Sequence, residues 1–303
     1  MPGISVLVTG ATGQQGGALA RLLLQRGHRV LALTRSADSP AARALEAGGA
    51  RLVTGDFEDV DSLTRAMQGV DAVYAMATPF EGGPAVEVRH GRHLADAAQR
   101  AGVGHFVYSS VAGASEHTGI PHFDSKHEVE QYVKGLGLPY TILGPTYFME
   151  NFHAPGSLEA LREGVLSMPL PPHRGLQMVA LEDLAAFTTL AMELREDFLG
   201  KRFDVASDEV TGEQAAALLT FVTGRRVHYE QIPLERVRAR SEDLGRMFEW
   251  LDTVGYRADV TRLRADYPSV RWHTFEQWVR EQDWSALGPT TWPGVESSAG
   301  ASP

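Results

Sequence analysis

The chain has 303 residues, 43% hydrophobic and 22% charged, which suits one sizeable α/β domain with a smaller lobe. Its formal net charge of −10 argues against a nucleic-acid partner, and the lack of cysteine excludes disulfides, thiolate nucleophiles and cysteine-ligated metals. No metal site is predicted. No segment reaches the roughly 18 apolar residues of a membrane span, and no basic leader precedes the first apolar run. We therefore expect a cytoplasmic protein without membrane contact.

The first half of the chain alternates short β-rich runs with stretches of helical apolar spacing. Parallel strands need crossover connections, so this alternation predicts a doubly wound parallel sheet of the Rossmann type. The predicted strands are Ile4–Thr9, Arg29–Thr34, Arg51–Thr54, Ala72–Met76, His105–Ser109 and Tyr140–Leu143. The predicted helices are Gly16–Arg26, Pro40–Ala47, Val60–Met67, Val86–Arg100 and Ser125–Lys134.

The alternation becomes less regular after Tyr147, and a loop-rich excursion with one helix candidate is predicted over Ala154–Arg174. The elements predicted beyond it are strands Gln177–Leu181, Arg202–Val205 and Val227–Ile232, and helices beginning near Asp183, at Gly212 and at Glu242. We expect a Rossmann domain over 1–152, completed by strands and a helix within 177–206. Residues 153–176 and 207–287 are expected to form a small C-terminal lobe for a substrate or partner. Residues 288–303, rich in Pro, Gly, Ser and Thr, are expected to be a disordered tail.

The strongest functional motif is glycine-rich and follows the first predicted strand. Gly10 permits a tight turn, Gly13 lets backbone N–H groups approach a pyrophosphate, and Gly16 lets the next helix pack closely. The start of that helix adds partial positive charge. The motif therefore predicts a dinucleotide site, although a simple tight turn is the alternative. Its predicted cofactor contacts are Gly10, Ala11, Thr12, Gly13, Gln14, Gln15 and Gly16.

The residue that follows the second strand discriminates between the two nicotinamide cofactors. An acidic residue there binds the ribose of NAD, whereas Arg accommodates the 2′-phosphate of NADP. Arg35 occupies this position, so NADP(H) is the predicted cofactor, with a solvated surface arginine as the alternative. The loops after the third and fourth strands are expected to border the adenine and ribose, or to be only turns and caps. Their candidate residues are Asp56, Phe57, Ala77, Thr78 and Pro79.

Five segments together resemble the NmrA-like family of atypical short-chain dehydrogenases/reductases, and the likeness spans most of residues 3–285. They are Thr9–Gly17, Arg35, Gly55-Asp56, His122–Lys126 with Glu128–Glu130, and Tyr147–Phe152. The likeness is greatest to NADPH-sensing members of the HSCARG type. It implies a Rossmann domain with a small C-terminal lobe, Lys126 at the nicotinamide ribose and Arg89 near the cofactor. It further implies a nicotinamide pocket lined from Tyr147 to Asn151, including Phe148.

The candidate catalytic residues depart from the usual Tyr-x-x-x-Lys pair, because His122 stands four residues before Lys126. Histidine can donate a proton near neutral pH. However, Ser125-x-x-Glu128 has the pattern of a capping box, which predicts that the helix starts at Ser125 and leaves His122 in a loop. His122 is then either a proton donor or an ordinary polar residue. Tyr147, Phe148 and Phe152 are either an aromatic wall for a flat substrate or core residues.

These features predict an NADP(H)-binding NmrA-like protein that acts as a redox sensor or regulator, because the usual tyrosine is missing. The alternative is an NADPH-dependent reductase of quinones or conjugated carbonyl compounds. A third hypothesis, an interaction module without cofactor, is disfavoured by the intact glycine motif. A small-molecule substrate, a regulatory protein partner and a homodimer all remain open.

Overall fold

The computed structural model describes residues 3–288, so the predicted disordered tail lies outside the described residues apart from Gly288. The strands are β1 (Ser5–Val8), β2 (Arg29–Thr34), β3 (Arg51–Thr54), β4 (Ala72–Ala75), β5 (His105–Ser109), β6 (Tyr140–Pro145), β7 (Tyr147–Phe148), β8 (Val165–Met168), β9 (Gly175–Val179), β10 (Lys201–Val205), β11 (Asp208–Thr211) and β12 (His228–Gln231). The helices are α1 (Gln14–Gln25), α2 (Pro40–Ala47), α3 (Val60–Met67), α4 (Pro84–Ala101), α5 (Pro121–Gly135), α6 (Pro155–Arg162), α7 (Leu181–Glu193), α8 (Arg195–Phe198), α9 (Gly212–Thr223), α10 (Leu234–Arg238), α11 (Glu242–Thr253), α12 (Val260–Asp266) and α13 (Phe275–Glu281).

Seven strands form the central sheet in the order β3-β2-β1-β4-β5-β6-β10, and every neighbouring pair is parallel. The chain order reverses between β1 and β4, where Val6 pairs with Val30 on one side and with Ala72 on the other. Open α/β sheets bind ligands at such a switch point, beyond the carboxyl ends of the strands. The prediction of a doubly wound parallel sheet is confirmed.

Helices cover both faces of this sheet, which explains why its inner strands are buried along their whole length rather than at alternate residues. Every residue of β1, β4 and β5 is buried. One face packs against α1 and α7 through residues such as Leu19 and Phe187. The other packs against α3, α4 and α5 through Leu63, Leu94 and Val129. Within residues 3–288, every helix is too short or too polar to cross a lipid bilayer.

A further hydrophobic cluster lies among the elements that follow β6 and includes Phe152, Trp250 and Trp278. Two small sheets accompany it, β11-β9-β7 and β12-β8. The stretch over Ala154–Arg174, predicted as a loop-rich excursion with one helix candidate, contains that helix as α6 and also the strand β8, which was not predicted. In β8 half-buried residues alternate with buried ones, and Leu166 pairs with Tyr229 of β12.

The strand predicted over Gln177–Leu181 was expected to help complete the large sheet, and this too needs correction. It runs over Gly175–Val179 as β9 and pairs with β7 and β11, while Leu181 already begins α7. The edge of the large sheet beyond β6 is occupied by β10 instead. Of the two strands predicted within 177–206, only β10 therefore joins the large sheet.

Candidate functional site

The glycine loop between β1 and α1 has the backbone geometry that a close approach requires. Gly10 has φ +60°, and its carbonyl accepts a 2.9 Å hydrogen bond from Gly13 N. A Cβ at Gly16 would lie 2.4 Å from the same oxygen, so only glycine lets α1 pack this closely. No side chain caps α1 at Gly13. The first N–H groups of the helix are thus left without a side-chain acceptor, which favours an anion there.

Hydrogen bonds tie this loop to the ends of β4 and β5. The Thr9 hydroxyl accepts from Met76 N at 2.8 Å and donates to Met76 O at 3.1 Å, which joins the two strands at the switch point. Gln15 Nε2 donates to Ser109 Oγ at 2.7 Å. Gln15, a predicted cofactor contact, therefore already joins the start of α1 to the end of β5.

Arg35 follows β2, and 75% of its side chain is exposed. Its Nη2 lies 3.1 Å from a carboxylate oxygen of Glu81, which is 66% exposed. Such exposed pairs contribute little stability, so a phosphate could replace the carboxylate at low cost. Arg35 is therefore accessible to a 2′-phosphate.

The other predicted adenine and ribose contacts lie at strand ends but also have local structural roles. Asp56 Oδ1 accepts from Glu58 N at 2.9 Å, and the Phe57 carbonyl lies 2.7 Å from His93 Nδ1. After β4, Ala77 is buried and Thr78 Oγ1 accepts from Phe80 N at 3.4 Å. Pro79 O accepts from Gly83 N at 2.7 Å.

Arg89 lies on α4 and forms a two-pronged pair with Glu58, with Nε and Nη2 at 2.9 and 2.6 Å from its oxygens. His90 Nε2 lies 2.9 Å from the same carboxylate. The hydrogen bond from Arg89, followed by that from His90, lowers the pKa of Glu58 to about 2. In this structure Arg89 therefore contacts the loop after β3.

The predicted start of the fifth helix at Ser125 was wrong, because α5 begins at Pro121. The Ser125 hydroxyl does not cap the helix but donates to Glu87 Oε2 at 2.5 Å. The N–H of His122 instead donates to Asp243 Oδ1 at 3.0 Å, so a carboxylate from α11 takes the capping role. His122 and Lys126 consequently lie one turn apart on the same face of α5.

His122 is almost buried, with 8% of its surface exposed. Its Nδ1 lies 2.5 Å from Asp243 Oδ2. Burial lowers the pKa of His122 below 6.5 even though the Asp243 carboxylate opposes this shift. No described residue makes a hydrogen bond with Nε2, so this nitrogen is available to a ligand.

The Lys126 ammonium lies where β4 and β5 end. Its Nζ is 2.8 Å from Glu87 Oε1, 3.2 Å from Ala77 O and 3.3 Å from Ser109 O. Glu87 has no exposed surface, and the sequence analysis missed it. A detectable signal existed, because Glu87 shares a helical face with Gly91, Leu94 and Ala98, where a carboxylate is unexpected. The predicted residues Lys126 and Ala77 are thus brought into contact.

The aromatic segment after β6 lies between two hydrophobic clusters. Tyr147 packs against the cluster around Trp250, and Phe148 packs against the cluster beneath α1 and α7. Burial raises the pKa of Tyr147 to about 12, against the effect of a hydrogen bond with Asn151. Phe152 is 2% exposed and its ring lies 5.1 Å from that of Phe275. Phe152 is therefore a core residue.

A second buried ionic network lies beside the site and was also missed. Glu130, fully buried on α5, accepts from Ser110 Oγ at 2.5 Å and pairs with Arg202 Nε at 3.1 Å. Arg202 Nη1 also lies 2.5 Å from Asp204 Oδ1. These residues join α5, β5 and β10, so they strengthen the framework that holds Lys126.

One cluster combines residue types that commonly bind metal ions. It consists of Glu182, His273 and Glu281, whose possible ligand atoms lie within 4.8 Å of one another. His273 Nδ1 lies 2.5 Å from Asp183 Oδ1, and Nε2 lies 2.9 Å from Glu281 Oε2. The hydrogen bond to Asp183 raises the pKa of His273 to about 9 despite desolvation. Both ring nitrogens therefore have carboxylate partners, as a protonated histidine requires.

The sheet order and the glycine loop at its switch point define the class: an α/β protein built like the dinucleotide-binding doubly wound proteins. The sequence profile of the NmrA-like family matches residues 4–283, and the chain belongs to that family. The NAD(P)H azoreductase of Xenophilus azovorans is 31% identical over 242 residues, which cover 79% of this chain and 81% of that protein. The resemblance predicted from the motifs is confirmed.

Two solved structures show the same fold. One is NmrA, a negative transcriptional regulator in complex with NADP, at 24% identity and a TM-score of 0.77, covering 94% of this chain and 99% of NmrA. The other is the Escherichia coli NADPH-dependent quinone oxidoreductase QOR2 complexed with NADPH. It is 24% identical with a TM-score of 0.75, covering 90% of this chain and 98% of QOR2.

Proposed function

We propose that this protein is an NADPH-dependent reductase of flat conjugated acceptors such as quinones and conjugated carbonyl compounds. The observation that carries the proposal is the placement of His122 and Lys126 on one face of α5. Lys126 reaches the ends of β4 and β5, and the glycine loop lies at the adjacent switch point. A proton donor and a cation thus stand near the place where doubly wound proteins bind dinucleotides.

The residues of the glycine loop suit a pyrophosphate. A Cβ at Gly13 would meet only Gly10 O, at 3.3 Å, within 4 Å and would otherwise face open space. That space, together with the uncapped start of α1, would accept the diphosphate, while Arg35 would contact the 2′-phosphate. The relatives NmrA and QOR2, solved with NADP and NADPH, support the same cofactor here.

The bound cofactor would supply a hydride, and the side chains of this chain would manage the charge that the acceptor gains. An acceptor that receives hydride becomes an anion, which needs a nearby cation or proton donor. Lys126 would stabilise that charge or hold the ribose, and His122 Nε2 would deliver the proton. The azoreductase relative and QOR2 support reduction of conjugated acceptors.

A specific observation favours a second function, that of a cofactor-responsive regulator. Lys126 Nζ already has three acceptors within 3.3 Å, one carboxylate oxygen and two carbonyl oxygens. An ammonium group has three N–H donors, so each donor has an acceptor without any ligand. Such a lysine would be a structural anchor rather than a contact of the reacting groups. The fold of NmrA, a regulator, is compatible with this function.

Two measurements separate these functions. Titration of NADPH fluorescence reports binding, and the decrease of 340 nm absorbance with a panel of quinones, enones and azo dyes reports turnover. A reductase consumes NADPH with at least one acceptor class, and Lys126→Ala abolishes this activity. Lys201→Ala is the matched control, because it removes the same charge at an exposed position on β10.

Binding without turnover across the whole panel would replace the reductase proposal with the regulator. Absence of binding to either nicotinamide nucleotide would overturn both functions and leave an interaction module.

A further inference from the structure

We propose that Asp243 is a positioning residue for proton transfer: its carboxylate holds His122 so that Nε2 faces the reacting substrate. This inference rests on the proposed reductase function. Asp243 lies on α11, 121 residues along the chain from His122, among the elements that follow the large sheet. Its effect on the reaction would be exerted through His122 and not through substrate contact.

One carboxylate contacts His122 at two points. Asp243 Oδ2 lies 2.5 Å from the ring Nδ1, and Oδ1 accepts the backbone N–H at 3.0 Å. The first places a charge against a buried ring nitrogen that has no hydrogen-bond partner, and the second joins the start of α5 to α11. Together they determine both the position of the backbone and the direction of the imidazole.

The position of α11 is itself well supported. Arg246 Nη1 donates to Gly119 O at 3.3 Å, and the Trp250 ring lies 5.5 Å from that of Phe123. Asp243, Arg246 and Trp250 follow helical spacing, so one face of α11 contacts the segment that precedes and begins α5. The carboxylate is therefore carried by a docked helix and not by a free loop.

The remaining surroundings of the His122 ring are aromatic. The ring of Phe123 lies 4.8 Å away edge-on, and that of Phe80 lies 6.2 Å away. Phe80 is 75% exposed, so it borders open space beside the imidazole. Since Nδ1 faces a carboxylate and Nε2 has no partner among the described residues, Nε2 is the nitrogen that can exchange a proton with a ligand.

In the proposed step, bound NADPH would supply a hydride, whose two electrons form a new C–H bond in the acceptor, or an O–H bond in a quinone. The resulting oxyanion takes the Nε2 proton of the His122 imidazolium, and the products are NADP⁺ and the reduced acceptor. His122 is left neutral with its Nδ1 proton facing Asp243, and water later restores the Nε2 proton.

Three charged groups influence the pKa of His122. The carboxylates of Asp243 on α11 and Glu87 on α4 favour the imidazolium, whereas the Lys126 ammonium on α5 opposes it. Burial also opposes it and is the largest influence on the pKa of His122. Asp243 thus partly offsets burial, and without it the protonated form would persist only at lower pH.

The decisive variant is Asp243→Asn, which keeps the shape but presents an amide to Nδ1. The amide favours the wrong tautomer and removes the charge, so kcat/KM at neutral pH should fall about 100-fold. The alkaline limb of the pH profile should move to lower pH, with NADPH affinity unchanged. Asp252→Asn is the matched control, because it removes an exposed carboxylate from the same helix. It should leave the profile unchanged.

A double-mutant cycle tests whether Asp243 acts through His122. His122→Ala combined with Asp243→Asn should be no slower than His122→Ala alone, since both changes remove the same proton transfer. Additive losses would overturn the positioning role, because Asp243 would then act by another route.

Nitrogen NMR of the histidines tests the same inference without turnover. The wild-type protein should show His122 as the Nδ1–H tautomer above its pKa, and Asp243→Asn should lower that pKa. An Nε2–H tautomer in the wild type would overturn the positioning role even if the variant fails to fold. If no acceptor is reduced while these NMR results hold, the reductase proposal fails and the pairing of Asp243 with His122 stands as a structural contact.

Discussion

Lys126 Nζ lies 2.8 Å from Oε1 of Glu87, a carboxylate with no solvent-exposed surface. The other Glu87 oxygen accepts from the Ser125 hydroxyl at 2.5 Å, so α4 and α5 are joined by a buried ionic contact. A buried charge is tolerated only when it is paired and hydrogen-bonded. The position of Lys126 at the strand ends therefore depends on Glu87 as well as on its own helix.

Glu87→Gln should destabilise the protein by about 2 kcal/mol or more, because it leaves the Lys126 ammonium without its counter-ion. Adding Lys126→Met to this variant should recover part of the loss, since the double variant buries no unpaired charge. Urea unfolding of the two variants measures both effects. Glu128→Gln, which breaks only an exposed pair with Arg92, should cost less than about 0.5 kcal/mol. Equal losses in Glu87→Gln and Glu128→Gln would contradict this account.

Gly16→Ala should weaken NADPH binding at least tenfold and destabilise the fold by about 1–3 kcal/mol. The added Cβ would lie 2.4 Å from Gly10 O and 2.8 Å from Thr9 O, both backbone atoms, so α1 must move away from the loop. Fluorescence titration and thermal unfolding report the two effects. Gly156→Ala on α6 is the control, because its Cβ would meet nothing within 4 Å. Unimpaired binding in Gly16→Ala would mean that the loop does not hold the diphosphate.

Arg35→Asp should weaken NADPH binding about 10–100-fold, the equivalent of one charged hydrogen bond, and shift preference toward NADH. Glu81→Gln is the matched variant. It removes the carboxylate that now lies 3.1 Å from Arg35, so NADPH affinity should be equal or higher. Dissociation constants for both nucleotides test this pair of expectations. An unchanged NADPH preference in Arg35→Asp would place the 2′-phosphate elsewhere.

The large sheet was predictable because local patterns determine it. The bounds of β2, β3 and β5 and of α2 and α3 agree with those predicted from apolar spacing. Strands buried on both faces form continuous apolar runs, and helices with one buried face show a 3.6-residue period. The family resemblance came from the same region, where Gly10 and Gly16 are required by backbone contacts.

The arrangement around His122 was not predictable, because the carboxylate that caps α5 comes from residue 243. The local pattern at Ser125 favours a capping box, yet its hydroxyl contacts Glu87 on another helix. Such long-range pairs leave no periodic signal in the chain. The same limit applies to β9, whose partners β7 and β11 are set by tertiary pairing.

His105 should make the free energy of unfolding depend on pH between about 6.5 and 4. Burial, followed by the charge of Arg195, lowers its pKa from 6.5 to about 4. The unfolded chain therefore binds a proton between these values that the folded protein does not, so stability is fully present above pH 6.5 and is lost as the pH falls toward 4. From pH 7.5 to 5 this residue should cost about 2 kcal/mol.

Urea unfolding at the two pH values checks this cost. His105→Gln, whose amide can replace the 2.8 Å contact with Thr141 Oγ1, should remove this part of the pH dependence. His228→Gln, at an exposed position on β12, should retain it. The same pH dependence in both variants would show that another group is responsible, because burial lowers the pKa of His105 to about 4, whereas His228 is exposed.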